Sequence, residues 1–200
     1  MFALVESGSI IKMLNGNQGI TIDGVQHPRA IYTLWTEAER NAIGIYTVEY
    51  DNSNKKDEKW YINTNQSYAF GSGKVTATYG TATAKAHADT LYTAQDETDG
   101  LGTEGELKSR GLKYKLIQDV KLEAANELAK TDWYVVRKTE ESTAIPSAIT
   151  THRRAVRSKQ AAMETAITNA SDTPALETLY TYTTDSDGVH SRPLGEIPTL

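Results

Sequence analysis

The sequence predicts an α+β protein: a β-rich N-terminal domain, then an αα-hairpin and an irregular C-terminal tail. Three observations predict it. Residues 1–80 are rich in β-branched and aromatic residues broken by Gly and Asn turns. Residues 104–170 carry apolar stripes at helical spacing. Residues 171–200 gather Pro174, Asp187-Gly188, Pro193, Gly195 and Pro198, which are turn formers. Between the first two regions, 81–103 reads as a linker.

The elements follow in order. Phe2 and Leu4 are split from Ile10 and Ile11 by Ser7-Gly8-Ser9, which predicts a hairpin. Ile20-Thr21-Ile22 runs into Asp23-Gly24, a strong two-residue hairpin signal. Pro28 limits the strand after it to an edge or an end. Thr36 followed by Glu37 and Glu39 predicts a capped helix over 36–43, ended by Gly44. Ile45–Tyr50 is a strand by composition, and 51–59 a polar loop. Trp60–Asn63, Ser67–Phe70 and Lys74–Tyr79 read as further short strands. One short helix is expected over 84–93. Ile117, Val120, Ala124 and Leu128 form one helical stripe, with Gly111 weakening its start. Thr131-Asp132 breaks or caps that helix, and periodicity leaves Trp133–Arg137 either helical or extended. Ile149, Val156, Met163 and Ile167 form a second stripe behind Pro146, a helix-start residue, with Ile145 as a staple. A hairpin is expected over 178–192.

Composition excludes several chemistries. The 200 residues include no cysteine, so thiolate catalysis, disulfides and cysteine-ligated metals are ruled out. The four histidines, His27, His87, His152 and His190, are dispersed and form no ligand pair. A net charge of −5 gives no electrostatic case for nucleic acid or anionic membrane. No apolar run approaches the ~20 residues of a membrane span. The first residues lack a basic leader and read as no secretory signal. Mean hydropathy of −0.51 fits a soluble chain.

Local motifs weigh against an enzyme. Asp185-Ser186-Asp187-Gly188 opens like a calcium loop and Glu196 stands at its twelfth position, yet its sixth holds His190 where glycine is required, so a turn is expected. Gly71-Ser72-Gly73-Lys74 lacks the spacing of a phosphate loop. No nucleophile–base pair stands out, so no catalytic residue, cofactor or metal is expected. Arg153, Arg154, Arg157 and Lys159 form a basic cluster. Its plain reading is a solvated helix face bridged to Glu140 or Glu141; its functional reading is partner docking. Tyrosine outnumbers phenylalanine 11 to 2, and its polar-tipped ring suits both interfaces and sheet surfaces.

One segment carries a resemblance. Leu128, Thr131-Asp132-Trp133, Val135, Arg137 and Glu140, then Ile145-Pro146, then His152-Arg153 and Val156-Arg157 resemble a motif of tailed-bacteriophage tail proteins. These include tail-fibre assembly proteins and short tail-fibre or baseplate-associated proteins of marine phages. The match covers about 30 residues, and it departs at His152, where tyrosine is usual. Pro28-Arg29-Ala30-Ile31-Tyr32-Thr33-Leu34-Trp35-Thr36 and Glu39 resemble a segment near the start of such chains.

The resemblance implies a non-enzymatic part of a virion tail, at a fibre, baseplate or adaptor position. It implies synthesis in the host cytoplasm, other tail proteins as partners, and a homo-oligomer or several copies around the tail. A tail-fibre assembly chaperone is the alternative, and a glycan-binding receptor module a third. The residues expected to matter are Asp132, Trp133, Arg137, Ile145, Pro146, Arg153 and Arg157, as a partner-binding or structural motif. Physically, Asp132 is expected to cap a short helix and Trp133 to pack between the two long helices. Arg137, Glu140, Arg153 and Arg157 are expected to pair across the junction. Trp133→Ala would then cost about 3–5 kcal/mol.

Overall fold

The computed structural model describes residues 1–64 and 66–200. It is α+β, with strands concentrated in the N-terminal half and long helices in the C-terminal half. Two compact units divide at Thr83/Ala84.

The first unit is built on β1 (Phe2–Glu6), β2 (Ser9–Leu14), β3 (Ile20–Ile22), β4 (Val25–His27), α1 (Ile31–Leu34), α2 (Glu37–Ala42), β5 (Ile45–Asp51), β6 (Tyr61–Ile62), β7 (Gln66–Gly71) and β8 (Lys74–Tyr79). Five strands form one sheet in the order β2-β1-β5-β8-β7. All its pairs are antiparallel except β5/β8, where Val48 faces Val75 in parallel register.

Alternation along β1 sends Ala3 and Val5 to one face, with Val48, Val75 and Ala77. It sends Leu4 to the other, with Leu14, Ile31, Tyr32 and Ile45. Three tight hairpins, at Ser7-Gly8, Asp23-Gly24 and Ser72-Gly73, have both turn residues at positive φ. That mirror-image turn matches the right-handed twist of the flanking strands. The Gly71–Lys74 segment is therefore a hairpin turn. The helix expected over 36–43 is α2, and its N-cap is a reciprocal box between Thr36 and Glu39. Gly44 follows at φ +79, and a Cβ there would lie 2.6 Å from the Val5 carbonyl oxygen, so both conformation and space require glycine.

At the junction lies β9 (Thr83–Ala84); β10 (Thr90–Leu91), α3 (Ala94–Thr98) and β11 (Leu107–Ser109) follow. The stretch expected as a linker, 81–103, thus holds local structure. The helix expected over 84–93 is found instead at Ala94–Thr98. Thr93 and Asp96 form its capping box, a signal that only the three-residue spacing carries.

The second unit continues with α4 (Leu112–Ala129), α5 (Asp132–Glu141), α6 (Ser147–Asn169), α7 (Thr173–Tyr180), β12 (Thr183–Thr184) and β13 (His190–Ser191). The first amides of α4 donate to the carbonyls of Ala86 and His87. Gly111 permits this: a Cβ there would meet the Ala88 backbone at 2.2 Å.

Helices α4 and α6 pack together. The α6 stripe of Ile149, Val156, Met163 and Ile167 is buried as expected, and Arg153 joins it. On α4 the buried face is Leu116, Val120, Ala124 and Glu127, one residue away from the expected Ile117 and Leu128, which are half-buried. The expected hairpin over 178–192 appears as β12/β13. Helix α7 precedes it, capped by Asp172 with Pro174 in its first turn. Leu176, Leu194 and Ile197 are buried, so the tail contributes to the core of its unit.

Candidate interaction surface

The connection from α4 through α5 into α6 brings the motif residues together. Helix α4 stops at Ala129, and Thr131 turns the chain into α5. Thr131 does not cap α5 with its side chain; its hydroxyl donates to the Leu128 carbonyl at 3.0 Å. Asp132 is the first residue of α5 rather than its cap.

Arg153 crosses to this corner from α6. It is 8% exposed. One guanidinium nitrogen donates to the Leu128 carbonyl at 2.8 Å and to the Thr131 hydroxyl oxygen at 2.7 Å. The other meets the Asp132 carboxylate at 2.8 Å. The planar fork thus bonds three acceptors at once, an arrangement that suits arginine and not lysine.

Beside it stands a second polar knot. Buried Glu127 accepts from Lys130 and from the Leu200 backbone amide, and faces His152 Nε2 at 3.1 Å. The Lys130 ammonium, first, then the Leu200 amide and His152, hold the Glu127 carboxyl below its usual range against the opposing effect of burial. His152, where the motif departs from tyrosine, serves here as a partner for a buried carboxylate. Sequence reasoning missed Glu127. The signal was its place three residues after Ala124, on the buried stripe.

Helix α5 is the unusual element. All ten of its residues are at least partly exposed. Trp133 is 50% exposed and Val136 52%. The expectation that Trp133 packs between the long helices is therefore overturned. Helices α4 and α6 close directly on each other through small and branched residues such as Ala124 and Val156, and Arg153 occupies the corner. Trp133 instead stacks on Tyr134, with ring centroids 3.8 Å apart, and the Arg137 guanidinium lies 4.7 Å from the Trp133 ring centre and 5.4 Å from that of Tyr134. This outward cluster is local, formed within two turns of one helix.

Along its inner side α5 borders an open groove of about 410 Å3, lined by Val135, Ile145, Thr150, Arg153, Arg154 and Arg157. Ile145 is half-buried and Pro146 sits at the N-cap of α6. Of the four charges expected to pair across the junction, only Arg153 does so, with Asp132. Among the described residues, Arg154, Arg157, Glu140 and Glu141 form no ion pair. The plainer reading of the basic cluster, bridges to Glu140 or Glu141, is thus not what the chain forms internally.

Chemically, the corner presents groups of the kinds that make non-covalent contacts. It offers an aromatic–guanidinium platform, an apolar-walled groove and uncompensated charge of both signs. The described residues contain no cluster of three metal-ligating side chains, and no helix long and apolar enough to cross a membrane. No protein-family model, curated protein or solved structure matches the chain.

Proposed function

We propose that the chain is a structural protein of a tailed-bacteriophage virion tail, a fibre, baseplate or adaptor component that works through protein–protein contacts without turnover. The observation that carries the reading is α5: a ten-residue helix with no buried residue that turns Trp133 to solvent, backed by half-buried Tyr134 and Arg137. Tryptophan, tyrosine and arginine are the residue types that dominate binding energy at protein interfaces. The helix also lies within the segment that resembles tail proteins, so the most exposed aromatic surface of this region and the resemblance coincide.

The test is mass spectrometry of purified virions alongside the lysate. Peptides of this chain at a fixed ratio to the major tail proteins support the reading. Absence from virions, with co-purification alongside fibre protein in lysates, points to the assembly chaperone instead. Absence from both sinks the tail reading.

A further inference from the structure

The geometry points to a second copy of this chain as the occupant of the α5–α6 surface, through a two-fold contact in which the two α5 helices lie antiparallel. The argument is charge complementarity within one surface. Its acidic part is Glu140 and Glu141, in the last turn of α5. There they oppose the partial negative charge of the helix C-terminus, and Lys138 of the same turn forms no ion pair with either. Its basic part is Arg154 and Arg157, on the wall of the groove. None of the four has an ion-pair partner among the described residues.

The two parts form no ion pair within one chain among the described residues, yet they suit a two-fold axis. The Arg153–Asp132 pair shows that α6 crosses beside the N-terminal end of α5. Arg154 and Arg157 follow within about one turn, so the arginines of the groove are at that end, while Ile145 and Thr150 line it nearer the other. The acids are at the other end. An antiparallel α5 from a second copy brings its Glu140 and Glu141 to the N-terminal end of the first, beside Arg154 and Arg157. The two-fold operation repeats the contact in reverse, as an isologous interface requires.

The middle of the contact is then Val136 and Arg137 of each copy. Trp133 of each is flanked by the Glu140 end of the other, and the aromatic clusters lose their solvent. A parallel arrangement would instead set acid against acid. A heterologous partner could also fill the groove, but it would need to supply both signs of charge in this order, which the chain itself already carries.

The pairing is independent of the tail reading, because it concerns the isolated protein. Sedimentation equilibrium of the full chain should give a species of twice the 22.0 kDa chain mass. The paired reversal Glu140→Arg with Glu141→Arg should weaken association by about tenfold or more, as should Arg154→Glu with Arg157→Glu. Combining all four should restore it. All four side chains are solvent-accessible, and circular dichroism of each variant checks that folding is retained.

A second measurement uses the absence of cysteine. Val136→Cys places a single thiol near the axis, and mild oxidation should link two copies, whereas Leu122→Cys, on the exposed side of α4, should not. A monomer at every concentration overturns the inference. So does a dimer or larger species that is indifferent to the reversals, or one that Leu122→Cys links as readily as Val136→Cys. Detection of the chain in virions changes neither outcome.

Discussion

At the scale of single residues, burial separates two side chains that the motif presents together. Arg153 is nearly enclosed and bonds Leu128, Thr131 and Asp132. Arg153→Ala takes the donor from the buried Thr131 hydroxyl oxygen and one of several donors from the Leu128 carbonyl, and it leaves the Asp132 carboxylate without its partner, so it should cost about 2–3 kcal/mol. Arg153→Lys should recover only part of this, because an ammonium cannot span the same three acceptors. Urea unfolding followed by circular dichroism measures both.

Trp133 behaves oppositely. Half-exposed and stacked only on its own helix, it should change stability by less than about 1 kcal/mol when replaced by alanine. Met163→Ala, at a site 1% exposed in the α6 stripe, should cost about 2–5 kcal/mol in the same assay. Equal losses for Trp133→Ala and Met163→Ala would show that Trp133 is a core residue after all.

Among the elements, α3 should depend on pH. The Lys108 ammonium, then the Thr93 amide and hydroxyl, hold the Asp96 carboxyl down at about 2, from an ordinary 3.8. A depressed carboxyl value means that the ionised form stabilises the folded segment. The contribution is complete above about pH 4 and is lost as pH falls toward about 2. Amide protection at Thr93 and its neighbours, taken relative to the intrinsic exchange rate at each pH, should fall across that window. In Asp96→Asn that protection should be lower at pH 7 already and nearly constant between pH 4 and 2; a fall as steep as in the native chain would assign the effect to another group.

The start of α4 is the other sensitive point. Gly111→Ala forces a methyl against the Ala88 backbone and should cost about 1–3 kcal/mol, read as a lower unfolding midpoint. The same residue looked in the sequence like a simple weakness in the helix. Its purpose is close approach, which only the folded neighbour reveals.

Taken as a whole, the chain is two compact units with separate cores. The first is a sheet with both faces covered by its own side chains, and the second a helix pair with α7 and the tail packed in. Residues 84–200 expressed alone should therefore fold cooperatively, with a single sigmoidal urea transition and the helical signature of α4, α6 and α7. A fragment without such a transition would mean that this core depends on residues 1–83.

What local pattern settled was the α+β class, the hairpins at Ser7-Gly8 and Asp23-Gly24, the capped α2, and the buried stripe of α6. Each of these is decided by nearest neighbours: positive φ at two turn residues, a hydroxyl three residues before a carboxylate, or a repeat of 3.6. The structure alone decided what depends on a distant partner. It shifted the buried face of α4 to Leu116 and Glu127, because that side meets α6 and because Lys130, His152 and the Leu200 amide satisfy the buried carboxylate. It turned Trp133 outward, because α4 and α6 close on each other and leave no slot between them. Hydrophobicity says that a tryptophan gains from burial; whether any surface in the same chain remains to bury it is a property of the packed whole.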